Sequence, residues 1–255
     1  MRSSLIRIER GLILSSIYDD DYFITEIGMP HIFPNPREAS DEGLMAYGGD
    51  LDPNRLLKAY RNGIFPWFNE GDPIFWWSPN PRLLLYPDEF KASKSLRRVI
   101  RNRGFEIEFD RDFESVVEYC RTVPRDGQVG TWLTEKMKES YIELFNMGFA
   151  HSVETYYDGK LVGGFYGVAI GKAFFGESMF SLMSNASKVA LKVLSDILVK
   201  KEYYFIDCQV PTEHLMSLGA RLVDRDIFLD QLEEALTKST DLGSWSDWKK
   251  YLKDE

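Results

Sequence analysis

The chain has 255 residues, of which 44% are hydrophobic and 14% aromatic, and it carries a formal net charge of −9 at neutral pH. This length suits one large or two modest domains, and the composition excludes an intrinsically disordered protein. The acidic balance argues against indiscriminate nucleic-acid binding. Two cysteines are too few for a disulfide framework, and three scattered histidines do not suggest a metal site. The sequence also lacks an apolar run long enough to span a membrane.

The first thirty residues show no clear hydrophobic period and predict a short strand plus an extension. Their apolar run, residues 12–14, is too short for a signal-peptide core, so we expect a cytoplasmic protein. From residue 33 the chain becomes rich in Pro, Gly and Trp, with one clear helix that starts after Asp52 as N-cap and stops at Gly63. Residues 1–82 are therefore predicted to form a small N-terminal domain.

Two tryptophans in turn-like segments are candidates for base stacking. Trp67 lies in FPWF and Trp132 in GTW, and each follows a turn constrained by Pro or Gly. Such a turn holds an indole rigidly enough to stack on a nucleic-acid base. A position in the hydrophobic core is the alternative for both, because large apolar rings are mostly buried.

The segment KASKSLRRVIRNR, residues 91–103, holds six basic residues and no acidic one, although the whole chain is acidic. Ser93 is the expected N-cap of a helix that ends at Gly104. Helical spacing places four cations on one face and Leu96, Val99 and Ile100 on the other. The four cations are Lys94, Arg97, Arg98 and Arg101. This basic face predicts an anionic partner, with a merely solvated helix face as the alternative.

The rest of the chain alternates predicted helices and strands. Asp110 is the expected N-cap of the next helix after the strand FEIEF, and Thr131 or Thr134 starts the one after it. A strand, a hairpin, a long helix, the strand YYFIDCQV, a short helix capped by Thr212, the strand ARLVD and a last helix follow. The alternation predicts an α/β (α+β) sheet domain over residues 83–238 and a peripheral tail over residues 239–255.

The predicted hairpin carries an acid in an apolar setting. Glu177 lies within the run KAFFGESMF, and a carboxylate there needs a partner, a raised pKa or a function. Strict alternation places Phe175, Glu177 and Met179 on one face, which suits a ligand with a hydrophobic side chain and a nearby amine. A buried glutamate held by backbone donors is the alternative.

A second polar pair lies at the end of YYFIDCQV. Asp207 and Gln209 are two positions apart and so point to one side of the strand, with Cys208 opposite. A carboxylate there can help to deprotonate an attacking amine, and an amide can donate to a developing oxyanion. The alternative for Asp207 is a cap for the short helix near Thr212. Cys208, among apolar neighbours, is interpreted as a buried hydrophobic residue.

Several long strings together resemble one known family. GLMAYGGDLDPNRLLKAYRNGIFPWF, DPIFWWSPNPR, LVGGFYGVAIGKAFFGESMFS and FIDCQVPTEHLMSLGA resemble, in this order and spacing, the leucyl/phenylalanyl-tRNA–protein transferases over about residues 30–230. The resemblance implies a cytosolic bacterial enzyme that moves Leu or Phe, with Met left open, from its tRNA onto the N-terminal Arg or Lys of a protein and so marks it for degradation. It also implies a small N-terminal domain and a C-terminal acetyltransferase-like (GNAT-like) domain with a mixed central sheet.

The resemblance assigns roles to residues by position. Asp207 and Gln209 match the catalytic pair, and Glu177 matches the acid beside the reacting amine. An aminoacyl-tRNA would also be the anionic partner expected for the basic face, so tRNA is expected to contact Lys94, Arg97, Arg98 and Arg101. The residues expected to bind the aminoacyl-adenosine end are Trp67, Trp132, Phe165, Phe174, Phe175, Met179, Ser181 and Ile206.

The chemistry of an aminoacyl ester explains why no cofactor or metal is expected. The ester is already activated, so the enzyme needs orientation, a neutral attacking amine and an oxyanion donor. We expect charged tRNA and an acceptor protein as the partners of a monomer that does not bind a membrane. A CoA-dependent N-acyltransferase is one alternative, disfavoured because residues 184–187 lack a glycine-rich pyrophosphate turn. A non-catalytic tRNA-binding protein is the other.

Overall fold

Two β-sheets organise the protein in a computed structural model that describes residues 25–27, 32–124 and 133–253. The strands are β1 (Thr25–Ile27), β2 (Leu44–Gly48), β3 (Phe65–Pro66), β4 (Phe75–Trp77), β5 (Arg82–Leu85), β6 (Glu106–Phe109), β7 (Ala150–Tyr157), β8 (Lys160–Ile170), β9 (Ala173–Ser181), β10 (Phe205–Gln209) and β11 (Arg221–Val223). The helices are α1 (Pro53–Arg61), α2 (Lys94–Asn102), α3 (Phe113–Thr122), α4 (Glu135–Asn146), α5 (Ala186–Lys200), α6 (Glu213–Ser217) and α7 (Arg225–Leu236).

The two sheets differ in size, and both are mixed. The small sheet has the order β1-β2-β4-β3, with β1 and β2 parallel. The large sheet has the order β11-β5-β10-β9-β8-β7-β6, in which β9 and β10 are parallel and the other neighbours are antiparallel. Helix α5 connects the two parallel strands, as a crossover between parallel neighbours requires. The mixed sheets confirm the coarse prediction of an α+β protein.

Local sequence signals placed most helix starts correctly. Asp52, Ser93, Thr134 and Thr212 each accept a hydrogen bond from a backbone N–H of the first turn, as N-cap residues do. The prediction for Asp110 was wrong, because Asp112 is the N-cap of α3. Of the two alternatives for the start of α4, Thr131 lies outside the described residues.

Asp110 instead holds distant segments together. Its φ of 52° is left-handed, and its carboxylate accepts hydrogen bonds from the backbone N–H of Ser152 and of Trp245. The second carboxylate oxygen also lies 2.9 Å from Nδ1 of His151. The side chain that the sequence suggested as a helix cap therefore ties strand β7 to the C-terminal segment.

Two hydrophobic cores cover the two faces of the large sheet. The first core contains residues of the small sheet together with α1, α3, α4 and α7, whereas the second contains α5 and the C-terminal segment. Trp245 and Trp248 are 1% and 6% exposed in the second core, with ring centroids 3.7 Å apart. The described part of the expected peripheral tail is thus packed on the sheet, because the two indoles among its charged residues are buried.

The basic face of α2 has the predicted orientation. Leu96 is buried, and Val99 and Ile100 pack on the second core. Lys94, Arg97, Arg98 and Arg101 are all exposed. Helix α2 packs against α5. Among the described residues no helix is both long and apolar enough to span a membrane.

Candidate active site

A cleft of about 890 Å³ lies where the small sheet meets strands β9 and β10 and the first turn of α5. Its walls combine apolar side chains with a few polar groups, the composition typical of a small-molecule site. Of the sequence-predicted site residues that the structure describes, those on the lining are Trp67, Phe165, Phe174, Glu177, Met179, Ser181, Ile206 and Gln209. The cleft therefore brings together residues that are far apart in the sequence.

A β-bulge places Glu177 at the cleft. In the β8–β9 ladder Tyr166 pairs with Ser178 and Gly167 pairs with Gly176, so Glu177 has no partner across the strands. An extra residue of this kind reverses the alternation of faces beyond it. The predicted shared face was therefore wrong: Phe175 packs in the first core, whereas Met179 packs on the second.

The carboxyl group of Glu177 is held by three side chains. Tyr60 donates a hydrogen bond to Oε1 at 2.8 Å, and Tyr141 donates one to Oε2 at 2.6 Å. The amide nitrogen of Gln209 donates to Oε1 at 3.1 Å. These donors are side chains, so the alternative of a glutamate held by backbone donors does not describe this site.

The environment of Glu177 raises its pKa to about 7 from an ordinary value of 4.5. Burial is the largest cause, and the nearby Asp207 carboxylate adds to it, whereas the Tyr141 and Tyr60 hydrogen bonds and the Arg82 charge oppose it. A carboxyl group with a pKa near neutrality can both accept and return a proton at physiological pH. Glu177 is therefore suited to proton transfer at the cleft.

Asp207 is fully buried and does not line the cleft. Arg82 donates from Nε to Oδ1 at 2.8 Å and from Nη2 to Oδ2 at 2.6 Å, a bidentate ion pair with both side chains 0% exposed. The guanidinium lies 4.7 Å from the ring centroids of both Phe65 and Phe228. The alternative role of Asp207 as a cap for α6 was wrong, because Thr212 is the N-cap of that helix.

Gln209 links this ion pair to Glu177. Its backbone N–H donates to Asp207 Oδ1 at 2.9 Å, and its φ of 63° is left-handed. That conformation is uncommon outside glycine and needs support from its surroundings. The Arg82–Asp207 pair supplies it, and the side-chain amide is thereby directed at Glu177.

The apolar wall of the cleft belongs to the second core. Phe165, Phe174 and Ile206 are at most 3% exposed, and Met179 is half-buried beside them. Phe175 is not part of this wall, because it packs against Tyr60 in the first core with ring centroids 5.1 Å apart. The wall can therefore accept a large apolar group, and Phe175 supports Tyr60 instead.

Trp67 and Ser181 lie at the rim. Trp67 is 43% exposed, and its ring packs edge-on against Trp77 at 6.2 Å, so one large aromatic surface remains open at the cleft. The Ser181 hydroxyl accepts from the backbone N–H of Ser187 at 3.1 Å and ties β9 to the first turn of α5. The predicted role of Trp132 falls outside the described residues.

The sequence reasoning missed Tyr60, Tyr141 and Arg82. Tyr60 and Tyr141 lie on the buried faces of α1 and α4, where an aromatic residue gives no sequence signal of a polar role. A usable signal existed for Arg82, because an arginine that begins the run RLLLY is a charge entering a buried strand. Among the described residues no group of three or more His, Cys, Asp or Glu side chains could hold a metal ion.

Comparison with known proteins gives a consistent family. A family model described as leucyl/phenylalanyl-tRNA protein transferase matches residues 84–233, and a model of the N-terminal domain of that protein matches residues 49–80. A leucyl/phenylalanyl-tRNA–protein transferase of Syntrophus aciditrophicus is 49% identical over 223 residues, which are 88% of this chain and 93% of that protein. The proteins of the same name from Sulfurimonas denitrificans and Legionella pneumophila (strain Paris) are 54% and 47% identical, over 79% and 90% of this chain and 88% and 98% of theirs.

Proposed function

The chain belongs to the leucyl/phenylalanyl-tRNA–protein transferases, enzymes that transfer an aminoacyl group from tRNA to a protein N-terminus, and we propose that the cleft beside Glu177 is where this transfer takes place. The observation that carries the proposal is the Glu177 carboxyl group, held by Tyr60, Tyr141 and Gln209 between an apolar wall and an exposed tryptophan. The cleft therefore combines a proton acceptor, an amide donor and a pocket for an apolar side chain.

The apolar wall is proposed to receive the Leu or Phe side chain of the donor, with Met as a further substrate. Phe165, Phe174, Met179 and Ile206 offer it large apolar surfaces and no charge. Trp67, together with Trp132, is proposed to stack on the terminal adenosine. Discrimination by missing methylene groups is limited, so we expect a preference for Phe over Ala of about 1–3 kcal/mol.

Glu177 is proposed to act as the base. The acceptor amine has an ordinary pKa near about 8 and arrives largely protonated at neutral pH. Ionised Glu177 takes one proton from the ammonium group, and the neutral nitrogen attacks the ester carbonyl carbon. As the carbon–oxygen ester bond breaks, the carboxyl group gives its proton to the departing ribose oxygen and accepts the surplus proton of the nitrogen, which leaves an amide and a free tRNA hydroxyl.

Gln209 and Asp207 have different parts in this proposal. Gln209 lines the cleft, and its amide N–H is the group that can turn towards a developing oxyanion. Asp207 serves as a positioning residue, because its two oxygens are engaged by Arg82 and by the Gln209 backbone. This differs from the expectation that Asp207 itself deprotonates the amine.

The partners follow from charge and chemistry. We propose that the basic face of α2 binds the tRNA backbone, since four exposed cations in an acidic chain form an electrostatic footprint. The acceptor is proposed to carry an N-terminal Arg or Lys, whose positive charge is compatible with the carboxylate of Glu177. A cytoplasmic site of action fits the location of charged tRNA, and a monomer is proposed because the described lining of the cleft already combines the acid, the amide and the apolar wall.

The domain boundary is proposed to lie near residue 82. All four strands of the small sheet precede residue 78, and Arg82 begins the large sheet. We propose an acetyltransferase-like architecture for the second domain, in which a mixed sheet has helices over both faces and a parallel pair joined by α5.

The experiment that tests the proposal replaces Glu177 with Gln, which keeps the shape of the side chain and removes its ability to take a proton. We expect single-turnover transfer from Phe-tRNA to a peptide with N-terminal Arg to fall by about 100-fold or more. Binding of Phe-tRNA should stay within a few-fold of wild type. A Glu177→Gln variant that transfers Phe at the wild-type rate would overturn the assignment.

Glu154→Gln is the matched control. Glu154 is a buried carboxyl group on the neighbouring part of the sheet, where it accepts backbone hydrogen bonds at the start of α3 and does not line the cleft. Its replacement should lower stability while the folded fraction transfers Phe normally.

A further inference from the structure

The side chains of Glu177, Tyr60 and Tyr141 contact one another in a closed ring. Besides its contact with Glu177, the Tyr60 hydroxyl lies 2.9 Å from the Tyr141 hydroxyl. Together with the 2.8 Å contact to Oε1 and the 2.6 Å contact to Oε2, this makes three hydrogen-bonding contacts among three side chains. Both tyrosines are 0% exposed, and neither lines the cleft.

The number of hydrogens in this ring depends on the charge of Glu177. A tyrosine hydroxyl has one hydrogen, and an ionised carboxylate has none. The ionised ring therefore has two hydrogens for three contacts, and both can point at the carboxylate. The protonated ring has three, so the carboxyl O–H donates to one tyrosine, that tyrosine to the other, and the second tyrosine to the remaining carboxyl oxygen.

We propose that Tyr60 and Tyr141 are positioning residues for proton transfer, which let Glu177 gain and lose one proton during the reaction without leaving a carboxyl oxygen or hydroxyl in the ring unpaired. This inference rests on the proposed function of the cleft. The hydroxyl hydrogens only turn between the two states, and the heavy atoms stay in place. A group whose partners are already oriented for both charge states avoids the cost of reorganisation at the moment of reaction.

The charged groups around the ring come from several elements. Arg82 of β5 and Asp207 of β10 act on Glu177 from one side with opposite signs. Gln209 contributes its amide hydrogen to Oε1, and Tyr166 of β8 packs its ring on Tyr141 with centroids 5.1 Å apart. The Arg82–Asp207 pair is nearly neutral as a unit, so among the described residues the two tyrosine hydroxyls are partners whose hydrogens can turn to follow the charge of Glu177.

The test is the pH dependence of single-turnover transfer in Tyr60→Phe and Tyr141→Phe. In wild type the rate should rise with pH and level off above a midpoint near about 7, because only ionised Glu177 can take a proton. Each substitution removes a hydrogen bond to the carboxylate, which raises the pKa of Glu177 and should move the midpoint up by about one pH unit. The rate should therefore drop about tenfold at pH 6.5 and recover to within a few-fold of wild type above the new midpoint.

Tyr86→Phe is the matched control, since its half-buried hydroxyl donates to Gln231 at 2.8 Å away from the cleft. It should lose stability without moving the midpoint. A uniform loss of rate at every pH in both ring variants, or an unchanged profile, would overturn the ring proposal. In a Glu177→Gln background the remaining pH dependence reflects the acceptor amine alone, so adding either ring substitution should not shift it. An active Glu177→Gln variant would instead overturn the proposed function itself, so the two failures are distinguishable.

Discussion

At the scale of single residues, the roles of Asp207 and Arg82 are set by burial. The aspartate and its arginine partner are 125 positions apart in sequence and completely enclosed, with two aromatic rings 4.7 Å from the guanidinium. The sequence showed that Asp207 and Gln209 point to one side of β10. The run RLLLY marks Arg82 as a charge in a buried strand, but it does not identify Asp207 as the partner, because pairing between distant strands is a tertiary property.

We predict that Asp207→Asn destabilises the protein by about 3–5 kcal/mol, because a buried arginine is left without its counter-charge. Thermal unfolding should show a clearly lower Tm. Transfer by the remaining folded protein should also fall, since the ion pair that supports the left-handed backbone of Gln209 is lost. This expectation contrasts with a catalytic aspartate at the surface, whose replacement would leave the fold intact.

Asp226→Asn is the control for that prediction, because Asp226 pairs with Arg37 at an exposed site where the aspartate side chain is 62% exposed. Surface ion pairs are worth about 0–1 kcal/mol. A Tm for Asp207→Asn as high as that of this control would show that the buried pair adds nothing to stability.

At the scale of elements, helix starts could be predicted from the sequence, because an N-cap is determined by residues close together in the chain. The N-caps at Asp52, Ser93 and Thr212 depend on bonds within one helical turn, and each was found in place. Asp110 was misassigned because Asp112 offers the same side chain two residues later. The bulge at Glu177 was missed for another reason: the strict alternation expected for a strand takes no account of the partner strand's register.

The basic face of α2 leads to a prediction about salt dependence. Arg97→Glu combined with Arg101→Glu should weaken tRNA binding and flatten its dependence on salt, because each lost phosphate contact removes about 0.7 to 0.9 from the log–log slope. Binding measured across a salt series gives this slope directly. The double variant Lys200→Glu and Lys250→Glu makes the same change in net charge at exposed positions outside α2. Equal slopes for the two double variants would mean that the face of α2 is only solvated.

At the scale of the whole molecule, the candidate site exists only where separate parts of the fold meet. Tyr60 comes from α1 beside the small sheet, Tyr141 from α4, and Glu177 and Gln209 from the large sheet. These parts share the first core, so packing between the two sheets also builds the ring around the carboxyl group. Sequence spacing identified the acid and the amide, but it could not bring the two tyrosines to them.

The C-terminal segment makes a similar contribution from the other face. Trp245 is stacked on His151 at 3.7 Å, its backbone N–H donates to Asp110, and its ring lies 5.8 Å from that of Phe174. Phe174 in turn meets Phe165 edge-on at 6.2 Å on the apolar wall of the cleft. A segment whose charged residues suggested a peripheral tail therefore supports the proposed pocket from behind.

We predict that Trp245→Ala destabilises the protein by about 3–5 kcal/mol through the cavity it leaves, and that it also loosens the pocket. Because Phe174 loses its support, the preference for Phe over Ala in transfer at subsaturating charged tRNA should shrink from about 1–3 kcal/mol towards zero. Trp248→Ala separates the two effects, since Trp248 stacks on Trp245 and meets Tyr203 and Phe109 but has no ring contact with Phe174. Trp248→Ala should lower the Tm while the ratio of Phe transfer to Ala transfer stays at the wild-type value. If Trp245→Ala and Trp248→Ala gave the same transfer ratio, the C-terminal segment would stabilise the fold without shaping the pocket.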